Sequence, residues 1–428
     1  MNYYLPHPIP LYGPDFAQDP HAVYARLRQY GPLAPVAIAP GHPAYLVTDY
    51  RAALDLLKDT TTWSKNPSEW QKTLPPDSQV LPMMKWRPNP LFNDGPVHAR
   101  YRSVITDSFS RVEPHRLRAQ VAHAADTLIR SFAPTGEVDL VTQYARPLPL
   151  VLFNNLFGMP DSYSDRLVAA LAGLMEATSP QEATRANADF EQYIAELIAL
   201  KTKQRGPDLT SWYMDHPAGL STEEVLHQIV LTMGAGHEPT TNLISNALSR
   251  MLSNPDYYST LSSGALTAKD AIEDVLRHEP PMANYSAHFP RQNVHFHGTW
   301  IMANQLVLVS YAAANMSPDG PAVGTVPTGG GAHLAWAAGP HSCPVKQPAL
   351  LITTTAIERL TSHLCDLELT AAREHLAWRP GPFHRALAHL PARFTPLAPD
   401  QAGVTPWTSS SPSVSTPQAT TSTAKHSG

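Results

Sequence analysis

HLAWAAGPHSCPV, His333 to Val345, holds one of only two cysteines in a chain of 428 residues. Pro340, His341 and Pro344 crowd around Cys343, so its thiol sits on a stiff, polar turn. The other, Cys365 in SHLCDLEL, reads as an ordinary core cysteine in an apolar run. About fifteen residues of helical pattern follow the turn, which puts Cys343 just ahead of a helix N-terminus. Unpaired N–H groups and the positive end of the helix dipole favour a thiolate there.

A buried structural thiol is the plain reading of any single cysteine, and two metal chemistries compete with it. Zinc would draw on His333, His341 and Cys343, but zinc motifs usually pair ligands at CxxC or HxxxH spacing, and neither occurs in the chain. Haem iron needs only one axial protein ligand, and a thiolate pushes electron density toward oxygen–oxygen cleavage. The rest of the chain decides between these.

Composition sets the class. Hydrophobic residues make up 43% and charged residues 16%, as in a globular protein with a large core. A formal charge of −5 gives no electrostatic reason for nucleic-acid binding. Two cysteines cannot build a disulfide scaffold, which points to a reducing, cytoplasmic setting. The start, MNYYLPHPIPLYGPDF, has no basic segment leading into an apolar run. No apolar run approaches the ~20 residues that span a bilayer, so no membrane anchor is expected.

Along the chain, DPHAVYARLRQYG (Asp19–Gly31) reads as a capped helix, LAPVAIAPGHPAYLVTD as a hairpin and YRAALDLLKD as a helix. Residues 66–96 are irregular and rich in Pro, Trp and Met, as binding loops often are. Helical spacing then covers spans near 97–110, 114–133, 160–177 and 181–204. Ser221 and Glu224 form a capping box for a long helix to Ser253, and Ala268–His278 is a shorter one. Residues 282–312 alternate like strands, a Gly-rich loop leads to the cysteine turn, and strands return near 375–394. The expectation is a mainly α (α+β) fold, one large helical domain over residues 1–395 with small β-sheets. A Pro/Ser/Thr-rich tail, 396–428, reads as disordered.

The cysteine segment resembles the haem-binding loop of the cytochrome P-450 family, F-G-x-G-x-H-x-C-x-G. Trp336 stands for the Phe, Ala337 and Gly339 for the first two glycines, and Val345 for the last, while His341 and Cys343 match. Other segments follow in the family's order. NDGPVHARYRSVITDSF (Asn93–Phe109) is similar to its DPPEHTRLR stretch, MGAGHEPTTNLISNAL (Met233–Leu248) to its A-G-x-[DE]-T-[TS] helix, and EDVLRHEPP (Glu273–Pro281) to its E-x-x-R helix end. AAANMSP and WRPGPFHRALAHLPARF resemble its ANRDP segment and closing hairpin, so only the tail lies outside. The combination looks like an actinobacterial subgroup with an atypical E-x-x-R motif.

The resemblance implies the cytochrome P-450 fold and heme b (iron protoporphyrin IX) with Cys343 as the iron's axial ligand. It implies that His98, Arg102 and His341 contact the haem propionates and that Ala235 lies beside the haem. The family's propionate arginine falls near Ala287–His288, which makes His288 the candidate substitute. Glu238 supplies the acid of the family's acid–alcohol pair for proton delivery, but Pro239 replaces the alcohol, leaving Thr240 as the candidate. Asp274 takes the Glu position of E-x-x-R, Glu273 lies one residue early, and Arg277 is expected to meet one of them.

The implied function is a monooxygenase that takes electrons from ferredoxin and ferredoxin reductase and oxidises a small, secondary-metabolite-like organic substrate. The pocket would draw on Met83–Phe92, the helices near 160–204 and Ala235. Pro239 and the altered cysteine loop motivate an alternative, a haem-binding protein with impaired or peroxide-driven oxygenase chemistry in a regulatory or interaction role.

Overall fold

A computed structural model describes residues 7–163, 166–167, 169–170, 180–254, 267–318, 320 and 332–397. The longer helices are α1 (Pro20–Leu27), α2 (Tyr50–Lys58), α3 (Gly95–Phe109), α4 (Pro114–Phe132), α5 (Pro147–Phe157), α6 (Pro180–Lys203), α7 (Thr222–Ser253), α8 (Ala268–His278) and α9 (Lys346–His363). The strands are β1 (Ile9–Pro10), β2 (Leu33–Ala39), β3 (His42–Val47), β4 (Trp63–Ser64), β5 (Glu137–Asp139), β6 (Asn284–Pro290), β7 (Val294–Phe296), β8 (Thr299–Ile301), β9 (Val307–Ser310), β10 (Glu368–Leu369) and β11 (Pro391–Arg393). Helices dominate, as expected.

The main sheet runs β1-β2-β3-β9-β6-β4 and packs beneath α1 and α2. Its β2–β3 hairpin is the one read from the sequence, and Gly41 in the turn takes φ +76. Two smaller sheets, β10-β11-β5 and β7-β8, complete the strands described.

α7 is the axis of the helical part. Ser221 Oγ accepts from the Glu224 N–H while Glu224 accepts the Ser221 N–H at 2.8 Å, the capping box expected from the sequence. Beyond that start, one half of α7 packs with α3, α5 and α6, the other with α4, α5, α8 and α9. α5 was not foreseen, because LPLVLFNNLF is apolar on most faces and shows little helical period.

Several expectations need correction. Cys365 is exposed, because it falls just past the last turn of α9 rather than in the core. Arg277 forms an ion pair with neither Asp274 nor Glu273 among the described residues. Asp274 instead meets Arg250 and His278 (2.9 Å), and Glu273 meets His333 at 3.3 Å. A second hub forms one turn on, where the buried Glu279 is ringed by Arg373, Arg385 (3.6 Å) and Arg250 (3.9 Å). The shorter Asp side chain thus engages α7, the shifted acid engages the head of the cysteine turn, and Glu279 gathers the C-terminal arginines. Pro396 and Leu397 still pack, with the Leu397 N–H donating to the Ala133 carbonyl at 3.0 Å. The rest of the tail, most of the Gly-rich loop and much of the 160–177 helix lie outside the described residues.

Candidate active site

The cysteine turn is braced from three sides. Cys343 N–H donates to the Trp336 carbonyl at 2.9 Å, closing the loop on itself. Gly339, at φ +69, lies so close to the end of α2 that a Cβ would collide with the Leu57 carbonyl oxygen. Only glycine fits there. Ala337 also holds a left-handed φ, 57°, which an L-residue adopts at a cost of roughly 1–2 kcal/mol. Val345 sits at φ −118, so the missing last glycine removes no conformational freedom that this backbone uses.

α3 forms the third side. His98 and Arg102 are one turn apart, on the face toward the loop. The His98 ring stacks on His341 at 4.0 Å between centroids, and Arg102 donates to the Ser342 carbonyl oxygen. Arg100, on another face, donates to the Glu224 carboxylate at 2.7 and 2.9 Å, and Tyr101 adds a bond at 2.7 Å. Those bonds from Arg100, partly offset by burial, pull Glu224 down to about 2. α3 therefore ties the cysteine loop to the start of α7. Burial pushes the Cys343 thiol above its ordinary value, opposed by the Val345 N–H, Arg102 and Lys346.

Along α7, Gly234 and Ala235 are exposed in the middle of a helix whose following residues His237, Glu238, Thr240, Thr241 and Asn242 are buried. Glu238 pairs with Arg379 from the closing hairpin and accepts from Asn242 Nδ2 at 3.1 Å. The helix continues through Pro239, which has no N–H for the Ala235 carbonyl. Thr240, the candidate alcohol, is buried two positions after Glu238 and leaves α7 about 100° around the helix from the position that Pro239 occupies. The positions that share Glu238's face are Gly234, Ala235, Thr241 and Asn242.

No family model matches the chain. It is, however, 32% identical over 391 residues to the cytochrome P-450 monooxygenase PikC of Streptomyces venezuelae, covering 89% of this chain and 92% of that protein. The chain belongs to the cytochrome P-450 family. A second P-450, 107B1 of Saccharopolyspora erythraea, is 31% identical over 88% of this chain and 96% of its own. A vitamin D(3) 25-hydroxylase of Pseudonocardia autotrophica is 27% identical over 90% and 96%. Among solved structures, the P-450 CYP154C4 of a Streptomyces species superposes with a TM-score of 0.82 at 26% identity, over 91% of this chain and 98% of its own. The protein is a P-450 monooxygenase, and haem is the family's cofactor.

The residues present fit that group. His98 Nε2 is buried without a hydrogen-bond partner, beside Arg102 and His341. A propionate oxygen suits such a donor, because an unpaired buried polar atom is costly. His288 is buried close by and donates Nδ1–H to the Ser286 carbonyl at 2.6 Å. Cys343, at the head of α9, is the only cysteine of the chain in this region. No helix among the described residues is long and apolar enough to cross a membrane.

Sequence reasoning missed Lys65, Arg379 and Asn242. Lys65 stands in WSKNPSEW, where no pattern marks it, and is 4% exposed. Arg379 and Asn242 meet Glu238 only through the fold, from a hairpin and from the next helical turn.

Proposed function

We propose that this P-450 binds heme b through Cys343, takes electrons from a ferredoxin and its reductase, and oxidises a small apolar organic substrate of secondary-metabolite type. The observation that carries the reading is the clamp on the cysteine turn. Gly339 against α2, Arg102 on the Ser342 carbonyl and His98 on His341 hold one thiol at the start of α9. A cysteinate-ligated haem supplies activation of dioxygen and transfer of one oxygen atom. Everything else is the chain's work.

His98, Arg102, His341 and His288 provide donors for the cofactor's carboxylates. Ala235 and Gly234 keep side-chain bulk off the exposed strip of α7. Glu238 holds or passes a proton at its carboxylate, positioned by Arg379 and Asn242. Thr240, buried two positions on, is the candidate alcohol. The vitamin D(3) hydroxylase among the relatives supports a bulky apolar substrate. The matches to named monooxygenases along most of the chain favour this reading over a regulatory haem protein.

The test is the absorption spectrum of the reduced protein under carbon monoxide. The red-shifted band of thiolate ligation is expected, and Cys343→His should move it to the position typical of imidazole ligation. A wild-type spectrum without the thiolate band overturns the reading.

A further inference from the structure

Lys65 follows β4 and is 4% exposed, with its ammonium 3.0 Å from Ser286 Oγ. That hydroxyl satisfies one of three N–H donors. The nearest acid, Asp94, is committed elsewhere. It accepts from the Lys65 backbone N–H at 3.0 Å, from Ser64 Oγ at 2.6 Å and from Arg291 at 3.3 Å, and lies 3.8 Å from His341. Among the described residues, no carboxylate forms an ion pair with the Lys65 ammonium. A buried ammonium without a counter-charge is expensive.

Its surroundings repeat the message. His98 and His288 lie near enough to feel the Lys65 charge, which adds to burial in holding each below the ordinary imidazole value. Arg102 adds a further cation, and His98 Nε2 is a second donor without an acceptor. The cluster thus offers more cations and N–H donors than its one carboxylate, Asp94, engages. It stands against His341, two residues from Cys343, so an anion bound here belongs to the group Cys343 ligates. β4 pairs antiparallel with β6, Ser64 opposite Phe289, which carries Lys65 on toward His288. β6 itself holds no lysine or arginine, and Lys65 lies about one strand spacing from it, ~4.8 Å, which a lysine stem easily covers.

We propose that Lys65 is the main cation binding a haem propionate in this protein, replacing the arginine missing from β6. The proposal rests on the haem-thiolate reading above. Burial, partly opposed by Asp94, lowers the Lys65 ammonium to about 7, and a propionate would restore its charge.

The experiment measures haem transfer from the full-length holoprotein to excess apomyoglobin, together with the reduction potential. Lys65→Met should release haem about tenfold faster or more and lower the potential, since a cation near the haem favours the reduced state. Lys65→Arg should restore both. If Lys65→Met does not accumulate, Lys65→Gln takes its place in the same comparison with Lys65→Arg. Unchanged release and potential in a thiolate-ligated Lys65→Met or Lys65→Gln protein would overturn the proposal alone. So would failure of Lys65→Arg to restore them. A wild-type protein without thiolate-bound haem would overturn the underlying reading as well.

Discussion

Around Cys343, three residues differ from the family pattern and the turn survives; in α7, one differs and the nearest hydroxyl moves around the helix. Ala337 still takes the left-handed φ that its position demands, and Val345 replaces a glycine where the backbone at φ −118 does not need one. Gly339 is retained where a Cβ would strike Leu57. Pro239 leaves α7 helical, but the next hydroxyl comes one residue late. One residue is about 100° of helix, so Thr240's hydroxyl leaves α7 in a different direction from the position that Pro239 occupies. A loop tests a substitution by whether the backbone angle is reachable, whereas a helix tests it by which way the side chain points.

The harshest way to break that contrast is Gly339→Ala. It combines a left-handed φ with a collision against fixed backbone, and the cost should be on the order of 3 kcal/mol or more. Urea denaturation and haem content of the purified variant measure it. A variant as stable and haem-replete as wild type would mean that α2 does not brace the turn.

On the other side of the site, Glu238→Gln should cut product formation per electron consumed by about 100-fold, the lower range for a positioned acid or base. Thr240→Ala should change it by less than about twofold. Both are read with the best substrate from a screen of steroids and polyketides. Equal losses in the two variants would show that Thr240 serves as the alcohol despite its shifted direction.

Much of this was legible beforehand because it rests on local chemistry. The capping box at Ser221, the end of α8 at His278, the β2–β3 hairpin and the pairing of His98 with Arg102 each depend on residues within about one turn of one another. What escaped depends on meetings across the chain. Lys65 is bonded to Ser286, 221 positions away, and Glu238 meets Arg379 from the closing hairpin. The ion network escaped for the same reason: Arg250 and Arg373 reach Asp274 and Glu279 from separate elements. Periodicity cannot show which distant cation completes a buried acid.

The smallest expected effect sharpens the comparison through pH. His237, 2% exposed on α7, donates Nε2–H to the Arg146 carbonyl at 3.1 Å. Burial, only partly offset by that bond, keeps its imidazole neutral down to about 4, against an ordinary 6.5. Between those values the unfolded chain binds a proton that the folded chain refuses. The stability from a neutral His237 is therefore full above pH 6.5 and lost as pH falls toward 4. One proton corresponds to about 1.4 kcal/mol per pH unit, or roughly 2 kcal/mol by pH 5. His237→Gln keeps an N–H for Arg146 and has no proton to gain, so its urea midpoint should fall less between pH 7.5 and pH 5 than that of wild type. Parallel pH profiles would show that acid weakens the molecule elsewhere, and that the distal helix is no more acid-labile than the cysteine turn.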